Sequence, residues 1–487
     1  MRAGQFGIVC LVALVLAVNG AAAAGRDLRM IEASERDDVA AVKALAAMGV
    51  DVNARSGDGS TALHWAAQNR DLALAELLIG KGAKVNATTD LGVTPLWIAA
   101  TNSDTAMVER LLAARADPNI AQSTQHSALM ILAQQGNAAG VRALLARGAD
   151  PNAREGVHGQ SALMWAVAGR HADVVRLLLA AHADARARTK SWNQRMLLCC
   201  QLYGGDHETE ATVAMGGYTP LLFAAQYGDV ESTRLLLAAG ADVNDAAPDG
   251  ASAVVIAAHA GQSDVGTVLL EAGANANAAG AGYTALHIAA ARGDVALATA
   301  LLAHGADPNA RVLKGTPTKR VRSGHALDQR MLGATPFILA AGSGQLEVMK
   351  LLVAKGADPS LSTQDGRTAL MVLAGEATTE GPDLRDALAG QATKLAVQLG
   401  TPVNQRLAAD GDTALHVAAA WRRDSVVEAL AESGADLNAR NIAGQTPLTA
   451  ALTPPGTQKG TVASDDYESL LHHTQTAELL RKLGAKT

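Results

Sequence analysis

A hydroxyl residue followed by a small or imino residue and then a large apolar one recurs along this chain, and the period of that cassette limits the possible folds more than any other feature. The hydroxyls are Thr61, Thr94, Ser127, Ser161, Thr219, Ser252, Thr284, Thr335, Thr368, Thr413 and Thr446, separated by 33, 33, 34, 58, 33, 32, 51, 33, 45 and 33 residues. Self-similarity at such a period signals stacked supersecondary units rather than separate globular domains. Length alone would suggest otherwise, since 487 residues correspond to about three domains of roughly 100–200 residues. The residues are 49% hydrophobic but only 3% aromatic. Large rings normally supply much of a compact core's buried area, so three such cores would be underfilled. Thin layers packed with Ala and Leu resolve the conflict.

Each unit carries the same punctuation. A glycine stands two residues before the hydroxyl, as in Gly59, Gly92, Gly159 and Gly250, and is replaced only by Gln125; this position suits a turn with positive φ. The Thr or Ser then caps a helix whose first residue is Pro or Ala, where a missing N–H costs nothing. Small pairs follow (Ala66-Ala67, Ala99-Ala100, Ala224-Ala225) and permit close helix approach. A second helix carries paired leucines (Leu77-Leu78, Leu111-Leu112, Leu235-Leu236) and stops at a glycine such as Gly82 or Gly240. An Asn then recurs (Asn53, Asn86, Asn119, Asn152, Asn244, Asn277, Asn309, Asn438) and is expected to hold the loop that follows it.

On these motifs the sequence resembles the ankyrin repeat family. The resemblance implies an all-α repeat solenoid of about 12 helix-turn-helix units joined by protruding hairpin loops, each layer burying its faces on its neighbours. It also implies that His64, His287 and His416 hydrogen-bond within their own turn and to an adjacent layer instead of ligating a metal. The expected organisation is a degenerate capping repeat at 25–60, repeats at 61–186, 217–309 and 333–452, and a loop with a C-terminal capping helix at 453–487. The terminal helix is expected over Thr476 to Gly484.

Arg2, the apolar run Ile8 to Val18 and the tract Ala21 to Ala24 follow the order of a secretory signal peptide over 1–24. The run is shorter than the about 17–25 residues that span a bilayer, so cleavage after Ala24 is expected rather than anchoring. Cys10 would leave with the leader. No other stretch is long and apolar enough to cross a membrane. The mature chain would hold 40 basic against 47 acidic residues, a net charge of -7, and is expected in a periplasm or secreted, with a bacterial source compatible with its Ala-rich signal.

Departures from the period are where function is expected to reside. The insertion at 187–216 adds 25 residues and contains Trp192, the apolar stretch Met196 to Tyr203, and the polar stretch Gly204 to Glu210. Its apolar half either folds back as a subcluster or forms a contact site, with Trp192 and Tyr203 as partner-binding candidates. Cys199 and Cys200 are the only cysteines of the mature chain; a vicinal disulfide, a bridge between molecules and buried thiols are all open. Asp206, His207 and Glu208 read as a solvated loop, since adjacent ligands without a second cluster make a poor metal site. The insertion at 310–332 adds 18 residues and carries Arg311, Lys314, Lys319, Arg320, Arg322 and Arg330 against Asp328 alone, a local +5. It reads either as a loop bonding acidic neighbours or as a hairpin gripping an acidic partner surface or anionic polymer. No aromatic residue interleaves these charges, so nucleic acid is not the expected partner. Further loops are expected at 375–388, before a helix over Thr393 to Gly400, and at 453–473.

The sequence holds no Gly-x-Ser-x-Gly, phosphate-binding glycine loop, His-Glu-x-x-His or Cys-x-x-Cys-His. No segment of domain size remains for a catalytic core. The expectation is a non-enzymatic scaffold for protein partners, with no cofactor. The alternatives are a redox or metal-dependent activity at 187–216 and anionic-polymer binding at 311–330.

Overall fold

In the computed structural model, which describes residues 27–198, 209–314, 331–375, 386–452 and 467–486, every cassette hydroxyl opens a helix. The side-chain oxygens of Thr94 and Ser127 accept from the N–H groups of Trp97 and Met130 at 3.0 and 3.3 Å. Caps of this kind stabilise by about 1 kcal/mol each. The second helix of a pair is capped by a different residue: Asp71, Asp104 and Asn137 accept from Leu74, Met107 and Gly140 at 2.9, 3.1 and 2.8 Å.

The described residues fall into two compact units, one reaching Lys190 and one starting at Ser191, with Ala238–Gly240 grouped with the first. The first unit holds five helix pairs: α1 (Arg29–Glu35) with α2 (Val39–Ala47), α3 (Ala62–Asn69) with α4 (Leu72–Gly80), α5 (Pro95–Thr101) with α6 (Thr105–Ala113), α7 (Ala128–Gln135) with α8 (Ala138–Ala146), and α9 (Ala162–Ala168) with α10 (Ala172–Ala180). First helices pack on first helices and second on second from α3 onward. Ala66, Ala67, Ala99 and Ala100 are fully buried at those contacts, so methyl groups set the spacing where other folds use rings.

The second unit begins with a departure from the all-helical pattern. The insertion after α10 forms a two-stranded antiparallel ribbon, β1 (Ser191–Leu198) and β2 (Thr209–Gly216), paired from Ser191 with Gly216 to Leu198 with Thr209. Helix pairs follow: α11 (Pro220–Tyr227) with α12 (Val230–Ala238), α13 (Ala253–Ala260) with α14 (Ser263–Glu271), α15 (Ala285–Arg292) with α16 (Val295–Ala303), α17 (Pro336–Gly342) with α18 (Leu346–Ala354), α19 (Ala369–Ala374) with α20 (Asp386–Gln398), α21 (Ala414–Ala420) with α22 (Asp424–Glu432), and α23 (Pro447–Leu452) with α24 (Tyr467–Leu483).

Two helices start earlier than their sequence suggests. Helix α20 begins at Asp386 rather than Thr393 because its first turn is anchored across the stack: the Asp386 carboxylate accepts the Ser425 N–H at the start of α22 at 2.8 Å. Gly390 allows the approach, since a Cβ there would lie 2.9 Å from the Ser425 carbonyl oxygen. Helix α24 begins at Tyr467 rather than Thr476, in a stretch without Gly or Pro until Gly484, so nothing interrupts its propagation over 17 residues.

The turn glycines adopt the left-handed conformation, with φ +85° at Gly59 and +89° at Gly250. At Gly250 both constraints coincide, because a Cβ would sit 2.4 Å from the backbone of Gly280 in the next hairpin. Gln125 holds the same backbone shape at φ +62° without that freedom.

Candidate partner-binding surface

Three rows of hydrogen bonds tie the loop side of each unit together, one at the hairpin tips, one in the layers that carry His or Trp three residues after the capping hydroxyl, and one through the asparagines. At the hairpin tips of the first unit, Asp90 N–H donates to the Asp58 carbonyl at 2.9 Å, Ser123 to Leu91 at 2.8 Å, Gly156 to Thr124 at 2.9 Å and Lys190 to His158 at 2.7 Å. The tips are thus joined edge to edge and are not independent fingers.

The second row runs through the histidines. His64 Nδ1 receives the Thr61 N–H at 3.1 Å, and His64 Nε2 lies 3.0 Å from the Val93 carbonyl in the next hairpin. An N–H can only donate, so Nδ1 is the acceptor and Nε2 carries the proton. His416 repeats this with Thr413 and Gln445. Trp97 substitutes in its layer by donating its indole N–H to the backbone carbonyl of His126 at 3.2 Å. This structural role matches the expectation from the family resemblance. Burial, which disfavours the imidazolium, lowers the pKa of His64 and takes that of His287 down to about 4.

The third row is made by the asparagines, and its target differs from the sequence expectation. Asn53 Oδ1 accepts from Lys84 N–H at 2.7 Å while its Nδ2 donates to Gly82 at 3.1 Å; Asn119 does the same with Asp150 and Gly148 at 2.8 and 2.9 Å. The amide therefore holds the C-terminal turn of the next repeat's second helix. Its own turn is held by the preceding aspartate, as where Asp117 Oδ1 accepts the Asn119 N–H at 2.9 Å.

On this frame the first helices of the first unit present a feature not singled out in the sequence. Four residues after the capping hydroxyl stand Trp65, Ile98, Ile131 and Trp165; Ile98 is buried and the other three are half-buried, whereas the positions on either side (His64 and Ala66, Trp97 and Ala99, Met130 and Leu132, Met164 and Ala166) are all buried. The Trp165 ring tilts against the His126 imidazole with centroids 6.1 Å apart. Leu91 and Val157 are exposed at the hairpin tips. Below Val157 the buried Glu155 carboxylate accepts N–H groups from Val157, His158 and Gln160 at 2.6, 2.6 and 3.0 Å. Burial opposes its ionisation, but those bonds and the nearby His158 outweigh burial and hold the carboxyl below its usual range. The signal was present in the sequence as large apolar residues at the repeat period. It was masked because the neighbouring helix positions are apolar too.

In the second unit, Tyr218, Phe223 and Tyr227 form a ring cluster with centroids 5.9 and 6.2 Å apart, and Tyr227 is exposed. His259 Nε2 and the Tyr283 hydroxyl share a hydrogen bond at 2.9 Å, and burial pushes the Tyr283 phenol up.

The insertions are placed as follows. His287 Nε2 reaches Ala310 at 3.0 Å and Ala334 at 3.3 Å. The second contact spans 47 residues where His64 and Val93 span 29, so the residues that flank the 18-residue insertion meet at one imidazole. Val312 N–H donates to Ala334 at 3.0 Å, and Gly333 N–H to Val312 at 2.8 Å. Arg311 belongs to this neck: its Nη1 donates to the Gly333 and Ser362 carbonyls at 2.9 and 2.5 Å. Arg55 and Arg154 make the equivalent bond to the next layer through Thr88 and Arg188. Arg311 is therefore a member of the repeat, engaged within the chain. Lys314 is exposed, and its stem lies over Gly282. Lys319, Arg320, Arg322 and Arg330 lie outside the described residues, as do Tyr203, Cys199, Cys200, Asp206, His207, Glu208 and the leader. Trp192 stands in β1 opposite Met215 and is 43% exposed. Among the described residues no three His, Cys, Asp or Glu side chains are grouped as a metal site requires, and no helix is long and apolar enough to cross a membrane.

Comparison with known proteins agrees with this geometry. Residues 29–122, 96–191, 129–247, 190–280 and 221–312 match the family model described as ankyrin repeats in three copies, and residues 332–364 and 410–442 match the single ankyrin repeat. Among curated proteins, a stretch of 120 residues is 32% identical to the transient receptor potential cation channel subfamily A member 1 homolog of Caenorhabditis elegans. That stretch is 24% of this chain, and it spans 9% of the length of the relative.

Proposed function

Because the chain belongs to the ankyrin repeat family, we propose that it is an exported, non-enzymatic scaffold that recognises a protein partner along the first helices and hairpin tips of its first unit. Ankyrin repeats imply a protein–protein interaction scaffold, and that general role is the base of the reading. The observation that carries the finer reading is the half-buried row Trp65, Ile131 and Trp165 beside the exposed tips Leu91 and Val157. Tryptophan is the residue most enriched among interface anchors, and a frame already fixed by three hydrogen-bond rows loses little conformational entropy on binding.

The basic insertion serves as a separate, electrostatic element directed at an acidic partner surface, and the 187–216 insertion adds further specificity. Export rests on the order of residues in 1–24 and places the scaffold in a periplasm or outside the cell. The test is affinity capture from the exported fraction, followed by binding measurements across salt concentrations with a Lys319→Ala/Arg320→Ala/Arg322→Ala variant. Binding should weaken and its salt dependence should flatten. Unchanged affinity discards the basic insertion as a contact, and an exported chain whose mass still includes residues 1–24 discards the leader.

A further inference from the structure

We infer that the groove between the first two asparagine turns of the first unit binds a carboxylate, held by Arg55, Lys84 and the Asn86 N–H. This inference does not rest on the tryptophan row proposed above as the recognition surface. In eight layers an aspartate two residues ahead of the turn residue accepts that residue's N–H; Asp117 accepts from Asn119 at 2.9 Å and Asp150 from Asn152 at 2.8 Å. Asn275 does the same with its amide oxygen. An acceptor in this place closes the turn on itself. Lys84 holds the position in the second layer, and an ammonium group has no acceptor to offer. The Asn86 N–H therefore lacks the partner that its counterparts have, and it forms no hydrogen bond among the described residues. Pro402 is the other internal exception, and it adds no charge.

The exchange also reverses the charge of the groove. Lys84 and Arg55 line one cavity of about 510 Å³ together with Asn53, Thr61, Asn86 and Thr88. Arg55 is fixed there by a bond from Nη2 to the Thr88 carbonyl at 2.8 Å, which leaves the rest of its guanidinium edge for a ligand. Asp90 lies 3.9 Å from that guanidinium, but its side chain is 70% exposed and neutralises it weakly. Lys84 makes no ion pair among the described residues. Arg154, Arg311 and Arg406 repeat the Arg55 bond to the next layer, on the carbonyls of Arg188, Ser362 and Arg440. In those layers the place of Lys84 is taken by Asp184, Asp358 and Asp436, whose N–H groups meet Asn152, Asn309 and Asn404 as that of Lys84 meets Asn53. They thus combine an arginine with an aspartate at the two positions, whereas here Arg55 is combined with a second cation. The repeat itself specifies the missing group: a carboxylate on the turn N–H, with charge-assisted bonds from two cations available to it. A ligand that brings one makes between molecules the bond that other layers make within the chain.

The test follows the backbone amide of Asn86 by heteronuclear NMR in the whole chain as succinate, a blocked peptide carrying two glutamates, or inorganic phosphate is added at constant ionic strength, so that general screening stays fixed. The Asn86 signal should shift saturably with succinate and with the peptide. Lys84→Asp supplies the carboxylate from within the chain, and should weaken both by about tenfold or more with an unchanged helical signal in circular dichroism. Lys355→Asp, at an exposed position of the second unit, changes net charge equally and should bind as the wild type does. Tighter binding of the peptide assigns the carboxylate to a protein partner, and equal or tighter binding of succinate assigns it to a small free acid; either result supports the groove. No saturable shift, phosphate binding more tightly than both carboxylates, undiminished binding in Lys84→Asp, or an equal loss in Lys355→Asp would each overturn the inference.

Discussion

His287 shows how one buried residue can hold a layer and an insertion together. It is fully buried, contacts both ends of the basic loop, and has its pKa lowered from 6.5 to about 4. The unfolded chain binds a proton at this residue below about pH 6.5, while the folded chain resists protonation down to about pH 4. Stability contributed by the neutral imidazole is therefore complete above pH 6.5 and is lost progressively as pH falls to 4, by about 3 kcal/mol in all. Denaturant titrations of wild type and His287→Asn across pH 4–7 should show a steeper loss in the wild type; parallel curves would remove His287 as the cause. Gln125 gives a prediction of opposite sign. It stands at φ +62° where the other copies have glycine, so Gln125→Gly should raise stability by about 0.5–1 kcal/mol in thermal or urea unfolding. A loss of stability would mean that the side chain contributes more than its backbone strain costs.

At the scale of elements, legibility followed the range of the interactions involved. First helices, their caps and the glycine turns were readable because their causes lie within a few residues. The histidine contacts were readable through the family resemblance. The asparagines were half-readable: the residue type signalled a held turn, but the turn belongs to the next repeat, 29 to 31 residues away, as Asn53 shows with Gly82 and Lys84. The ribbon was missed because β2, Thr-Glu-Ala-Thr-Val-Ala-Met-Gly, has weak alternation and only its pairing with β1 defines it. The early start of α20 was missed for a similar reason, since the bond from Asp386 to Ser425 spans 39 residues. Arg311 read as part of a charge anomaly because composition counts a cation without registering that its guanidinium is already bonded to Gly333 and Ser362.

At the scale of the molecule, length is an extent of repeated surface, and the local bonds between layers make that surface available before any partner arrives. A repeat stack is stabilised by nearest-neighbour terms, so local substitutions in one layer leave distant layers folded. This property allows the partner surface to be tested without unfolding the chain. The most direct measurement is the affinity of a captured exported partner for the wild type and for Trp65→Ala/Trp165→Ala, with circular dichroism confirming an unchanged helical signal in both. Loss of about tenfold or more in affinity with the fold retained is the predicted result. Equal affinity of the two proteins for the partner would contradict the assignment of the first-helix row as the recognition surface.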